Sequence, residues 1–264
     1  MNHKRDDKSE TFLLLNTQNK KEIAKTFCDS AWDDFDDGLF EESLDKFEKA
    51  LQHFPDFADA LIGRGQIMLL FEDFDAASEN AQTAIQLEPD NSDARTLSAN
   101  ISRLLGKYDK SINDYNKAIE LDSNSYLAFY GRAIAFDILG KPNESLSDFN
   151  ACLKLNPDFV SAWYDRGVLQ TSEGNLNEAI ADYSKAIELD PQFVHALITR
   201  GDLYSILNQD SLAMADFNRA IEIDPEEPTA YYYRSMLWQK LNQTAKARID
   251  YEIALEKGLS EDDM

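Results

Sequence analysis

Cysteine is nearly absent from this chain. Cys28 and Cys152 are the only two in 264 residues, and they lie far apart. A disulfide framework is disfavoured and a reducing, cytoplasmic setting is expected. Basic residues are also short: 26 Lys and Arg stand against 49 Asp and Glu, giving a formal net charge of −23 and a pI near 4.4. Binding driven by phosphate neutralisation needs a basic surface, so nucleic acid is excluded as a partner, and so is docking on an anionic membrane. Long apolar runs are missing as well. The N-terminal apolar stretch, residues 12–15, is four residues long, whereas a secretory core needs roughly seven and a membrane span about 18. Histidine is represented only by His3, His53 and His195, each without a carboxylate or cysteine at ligand spacing. No Ser-His-Asp, Cys-His or phosphate-loop pattern is present, and Gly63-Arg64-Gly65 lacks the remainder of a dinucleotide fingerprint. The chain therefore reads as a non-enzyme with no metal and no cofactor.

What the chain does hold is a 34-residue unit, cleanest over residues 160–193 and recurring without insertions from positions 24, 58, 92, 126, 160, 194 and 228. Three columns carry small residues. The first is Ala31, Gly65, Ala99, Ala133, Gly167, Gly201 and Ser235. The second is Ser43, Ala77, Ser111, Ser145, Ala179, Ala213 and Ala247, and the third is Ala50, Ala84, Ala118, Cys152, Ala186, Ala220 and Ala254. Small side chains are required where two helix backbones approach closely. An aromatic column fills the gap between them with Phe47, Tyr115, Phe149, Tyr183, Phe217 and Tyr251. Ala81 alone breaks that column, so the second unit is expected to be underpacked. Pro55, Pro89, Pro157, Pro191 and Pro225 close the units. Gly38, Gly106, Gly140, Gly174, Asn208 and Asn242 mark the inner turn, where a left-handed backbone ends a helix.

These columns resemble the tetratricopeptide repeat family, and the resemblance covers residues 24–261. Trp163, Gly167, Ala179, Tyr183, Ala186 and Pro191 match its pattern inside one unit, and a register kept over seven units makes the match specific. The resemblance implies an all-α fold: antiparallel helix pairs stacked into a right-handed superhelical solenoid. Physical reasoning agrees, since no single pair can bury its apolar face without neighbours. Residues 1–23 fall outside the pattern and are expected to form a weakly ordered leader, tied down by residues 12–15. Residues 262–264 form a short acidic tail. Thr26, Asp33 and Asp37 replace the apolar residues of later units, so the array is expected to begin at residue 24. Arg248, in a column otherwise occupied by residues such as Leu146 and Ile180, is expected to end it.

Arg64, Arg132, Arg166, Arg200 and Arg234 precede Asn80, Asp148, Asp182, Asp216 and Asp250 by sixteen residues. In an antiparallel hairpin these positions face each other, so four within-unit Arg–Asp pairs are expected. Lys46 faces the neutral Ser30. The acidic run at residues 33–37 imitates a calcium loop, but Phe35 and Leu44 stand where oxygen ligands are needed, so it reads as a solvated face.

The family uses the inner wall of the superhelix, lined by the first helix of each unit, for binding. The inward positions are Cys28 and Trp32, Ile62 and Gln66, Thr96 and Asn100, Tyr130 and Ile134, Tyr164 and Val168, Ile198 and Asp202, and Tyr232 and Met236. Units four to seven place an aromatic or branched apolar residue there each time, whereas unit three is polar. Exposed apolar surface marks interaction sites, and aromatics make good anchors. The expected function is a protein-interaction scaffold that holds a peptide segment of a partner, mainly over residues 130–236, with an acidic rim that favours a basic partner. Other readings stay open. One is a co-chaperone adaptor for C-terminal carboxylates, which scattered Lys25, Arg103 and Lys240 disfavour. The others are a regulatory subunit for an enzyme on another chain, and self-association.

Overall fold

The computed structural model describes the backbone of residues 3–260, with side chains from residue 17 onward. The side chains of residues 12–15 and the acidic tail at 262–264 lie outside the described residues. The described residues form fourteen helices and no strands. They group into two compact lobes, Met1–Leu139 and Gly140–Met264. The first lobe contains α1 (His3–Asp36), α2 (Phe40–His53), α3 (Ala58–Leu70), α4 (Phe74–Leu87), α5 (Ser92–Leu104), α6 (Tyr108–Leu121) and α7 (Tyr126–Ile138). The second contains α8 (Pro142–Leu155), α9 (Val160–Ser172), α10 (Leu176–Leu189), α11 (Val194–Ile206), α12 (Asp210–Ile223), α13 (Pro228–Lys240) and α14 (Thr244–Glu256). Each 34-residue unit thus supplies two successive helices, and the fold is an all-α repeat solenoid. The backbone from His3 runs into the first repeat as one helix, α1.

The repeated turn explains the period. After each first helix the chain takes one residue with positive φ: Gly38, Gly106, Gly140 and Gly174, joined by Asn208 and Asn242 at φ 59° and 60°. Glu72 adopts the same conformation at φ 60°, unsupported by glycine or asparagine. The following N–H then reaches back to a carbonyl five residues earlier. Lys107 donates to Ser102, Asn175 to Gln170, and Gln243 to Trp238, each at 2.8 Å. Two otherwise orphaned helix-end groups are satisfied this way. Asp73 and Asn91 cap the helices that follow them by accepting from Ala76 N and Ala94 N.

All three small columns are buried. In the second column, serine also supplies a hydrogen bond between helices: Ser43 Oγ donates to Ala31 O at 2.7 Å and Ser111 Oγ to Ala99 O at 2.9 Å. The aromatic knobs reach forward as well as inward. A Cβ built on Gly63 would collide with the ring of Phe47 from the preceding repeat, and one on Gly131 would collide with Tyr115. Where Ala81 replaces the aromatic, the next repeat offers Leu97 in place of glycine. Leu97 is fully buried, and its Cδ2 would lie 2.7 Å from a Cβ on Gly65. Size is exchanged across the junction, and a hollow of about 110 Å³ lined by Ala81, Ser98 and Ile101 remains.

The Arg–Asp ladder holds in the second lobe and does more than the pairing rule implies. Arg166 grips both Asp182 oxygens at 2.8 and 2.6 Å, Arg200 grips Asp216 at 2.9 and 2.8 Å, and Arg234 grips Asp250 at 2.7 and 2.8 Å. The remaining guanidinium nitrogen of each reaches the second helix of the preceding repeat, donating to Asn150, Ser184 and Asn218 respectively. Each arginine therefore ties three helices together. In the first lobe, Arg132 reaches Asn116 at 2.6 Å and Arg64 meets Asn80 at 2.8 Å. Lys46 donates to Ser30 Oγ and pairs with Asp34.

Candidate binding surface on the first helices

In the first lobe, α1, α3, α5 and α7 adjoin one another and present one face. A cavity of about 340 Å³ opens on it, lined by Gln66, Asn100 and Tyr130 together with Leu70, Arg103 and Leu127. With Thr96, which also lines it, four of the expected inward residues share a single recess. Tyr115 from α6 reaches up from below and donates its hydroxyl to Asn100 Oδ1 at 2.5 Å. This bond occupies the amide oxygen, which leaves the NH₂ group as the donor end of the side chain. Burial pushes Asp93, also in this lining, above the usual carboxylate range, and Asp122 adds to the shift.

The other expected residues of this lobe have different roles. Trp32 is half-buried and packs edge-on against Phe47 and Phe35, with ring centroids 5.1 and 5.5 Å away. Ile62 is only 3% exposed and belongs to the core. Cys28 is also buried, which pushes its thiol up to about 12, with Asp59 and Asp29 adding to the shift. Ile134 is half-buried and lies outside the cavity lining.

In the second lobe, Tyr164 on α9 lies tilted over Phe193 and Tyr183, with centroids 4.9 and 5.5 Å away. Val168 and Met236 are 40% and 47% exposed, and Asp202 stands between them at the same repeat position. Ile198 is a core residue, 3% exposed, like its counterpart Ile62. At this position the isoleucines are buried, whereas Tyr130, Tyr164 and Tyr232 are half-buried. Tyr232 is half-buried, 5.5 Å from Tyr233 and 6.4 Å from Tyr251.

The titrating groups of this face influence one another. Burial pushes Asp202 above its ordinary value of 3.8. Tyr233 is raised by burial first and then by the Asp202 charge. Tyr164 is raised by burial and by Asp165, while the Thr199 hydroxyl works in the opposite direction.

The inward positions named from the sequence omit one exposed column, namely Leu70, Leu104 and Ile138 in the first lobe and Ile206 in the second. Each is at least half exposed. The signal lies in the spacing: Ile62, Gln66 and Leu70 follow at four-residue steps, as do Ile198, Asp202 and Ile206, which keeps them on one helix face. Thr199, Tyr233 and Phe193 were also passed over. Thr26 and Asp33 of α1 and Asp37 just after it are exposed, as is Arg248 of α14, which pairs with Glu252. Among the described residues there is no group of three or more metal-ligating side chains, and no helix is long and apolar enough to cross a membrane.

No curated protein matches the chain in sequence. Among solved structures, the fold is similar to that of Pseudomonas aeruginosa pilF, with 16% identity and a TM-score of 0.67 over 85% of this chain and 99% of that one. It is also similar to a tetratricopeptide repeat protein from Parabacteroides merdae, with 20% identity and a TM-score of 0.59 over 91% and 95%. A third similar structure is YrrB, described as a TPR protein with an unusual peptide-binding site. Its identity is 20% and its TM-score 0.53, over 75% of this chain and 97% of that one. Such identities speak for the fold alone. Family profiles described as tetratricopeptide repeat match residues 34–101, 160–193 and 194–227, and one described as TPR repeat matches 99–137. Together they span well over half of the sequence, and the chain belongs to the tetratricopeptide repeat family.

Proposed function

We propose that this protein is a non-enzymatic interaction scaffold whose first-helix faces hold a peptide segment of a protein partner. The observation that carries this reading is the recurrence of exposed apolar side chains at inward positions. Val168, Ile206 and Met236 stand in the second lobe, and Leu70, Leu104 and Ile138 in the first. The repeat's packing does not require apolar residues at these sites, and clustered exposed apolar surface is characteristic of a docking face. Tyr164 and Tyr232 supply aromatic anchors with hydroxyls at the wet end. The surplus of carboxylates favours a basic partner and speeds its encounter at low salt. A peptide-binding site on the similar protein YrrB is compatible with this use of the fold. The chain's location is expected to be cytoplasmic.

The test is affinity capture from native lysate with wild type and a Tyr164→Ala/Tyr232→Ala variant. The variant should weaken capture at least tenfold, about 1.4 kcal/mol. Because Tyr164 also packs on Tyr183, Val168→Ser/Met236→Ser serves as a second variant with exposed positions only. Unchanged capture by both would refute the face as the docking site. A peptide with an acidic C-terminus, compared with its amidated form, separates this reading from a carboxylate-recognising adaptor.

A further inference from the structure

Three buried carboxylates of the second lobe, Asp182, Asp216 and Asp250, are each gripped by an arginine fork. Asp202 is half-buried, yet none of the ion pairs described for this lobe includes it. Nor does the repeat call for an acid there: its counterparts are Trp32, Gln66, Asn100, Ile134, Val168 and Met236. A carboxylate drawn partly out of water without a cation is a cost to the fold. Its neighbours on this face are aromatic and hydroxylic, with Tyr233 close enough to feel its charge and Thr199 one turn away on the same helix.

On the reading that the first-helix face holds a peptide, we infer that Asp202 is the receptor for one lysine or arginine side chain of that peptide, with Tyr233 beside it and apolar contacts to Val168 and Met236 on either side. The cation would supply the charge partner that the chain withholds, and the flanking tyrosine would add a cation–π contribution. Geometry sets the spacing. Val168, Asp202 and Met236 occupy one position on three successive first helices, and neighbouring packed helices lie about 8–10 Å apart. An extended or polyproline-type segment advances about 3.1–3.6 Å per residue. The matching segment therefore carries an apolar residue, then a basic one three residues on, then an apolar one three residues beyond that.

The experiment pans a displayed random dodecapeptide library on the whole protein. Wild type, Asp202→Asn and Tyr164→Ala/Tyr232→Ala are used in parallel, and a consensus peptide is followed by fluorescence anisotropy. Wild type should enrich Lys or Arg flanked at three residues by apolar positions. Asp202→Asn should keep the apolar preference, lose the basic one, and bind the consensus peptide at least tenfold more weakly. Replacing the peptide's basic residue by norleucine should cost wild type a similar factor and cost Asp202→Asn nothing. Equal enrichment of the basic residue by wild type and Asp202→Asn would overturn the assignment while leaving the face reading intact. Equal selection by wild type and the tyrosine variant, or no enrichment at all, would overturn the face reading and this inference with it.

Discussion

The exchange of size between Ala81 and Leu97 can be tested as a thermodynamic cycle. At the neighbouring junctions an aromatic knob meets a glycine, Phe47 on Gly63 and Tyr115 on Gly131. At this one, alanine meets leucine, and Leu97 is buried against Gly65. Replacing Ala81 with Phe alone drives a ring into space that Leu97 already occupies. Overpacking of this kind costs about 1–3 kcal/mol, and the hollow of about 110 Å³ beside Ala81 argues for the lower end. Replacing Leu97 with Gly alone removes a buried leucine, about 2–5 kcal/mol, and adds about 1 kcal/mol for glycine inside a helix. If the sites were independent, the double variant would lose roughly 4–9 kcal/mol. If they form one exchanged contact, the double variant recreates the Phe47–Gly63 arrangement and should lose only about 1–2 kcal/mol. The expected coupling is then at least about 2 kcal/mol, near the top of what neighbouring residues show. Urea unfolding of wild type, both single variants and the double variant measures it. A double variant no more stable than the sum of the single effects would refute the exchange.

Three further outcomes follow from other parts of the molecule. Arg166→Met should lower stability by about 3–5 kcal/mol by stranding Asp182, and Arg166→Met/Asp182→Leu should recover most of it; thermal melts that show no loss for the single variant would remove the strut. Glu72→Gly should raise stability by about 1 kcal/mol, since a non-glycine residue at φ 60° carries left-handed strain; an unchanged or lower melting temperature would contradict this. Asp202→Asn should be more stable than wild type at pH 7. Because folding raises the Asp202 pKa above 3.8, its stabilising, protonated form is present at acid pH and lost as pH rises through the folded value. The advantage of Asn should accordingly vanish below about pH 3.8, and a difference independent of pH would refute the linkage.

The repeat was legible in the sequence because packing imposes it. The small columns, the knob and the left-handed turn each answer a steric need that recurs every 34 residues, so comparing repeats exposes them. The arginines were half legible. Facing positions inside a hairpin add to a constant, which pairs Arg166 with Asp182, but that rule is blind to the previous hairpin and so misses Asn150. The face was the least legible part. Ile62 and Tyr130 hold the same repeat position, yet one is core and the other is half-buried in the cavity lining, because the longer side chain is not swallowed by the same space. Leu70, Leu104, Ile138 and Ile206 could have been found by continuing the four-residue step one place further along each helix.

The two lobes differ in face chemistry for a reason that lies in the packing. The residue that receives the preceding knob is Gly63 or Gly131 in the first lobe, where it leaves no side chain to show at the surface. In the second lobe the same position holds Asp165, then Thr199, whose hydroxyl acts on Tyr183 and Tyr164, and Tyr233, stacked on Phe217 at 6.2 Å. Tyr233 thus completes the junction with its ring and lies close enough to Asp202 to feel its charge. A knob met by glycine gives a tighter junction and a barer face. A knob met by threonine or tyrosine brings hydroxyls and rings to the surface that a partner would touch. Binding chemistry in this fold is therefore coupled to junction packing at one position per repeat. Substitutions at Thr199 and Tyr233 should change stability and recognition together, whereas those at the exposed Val168 and Met236 should change recognition alone.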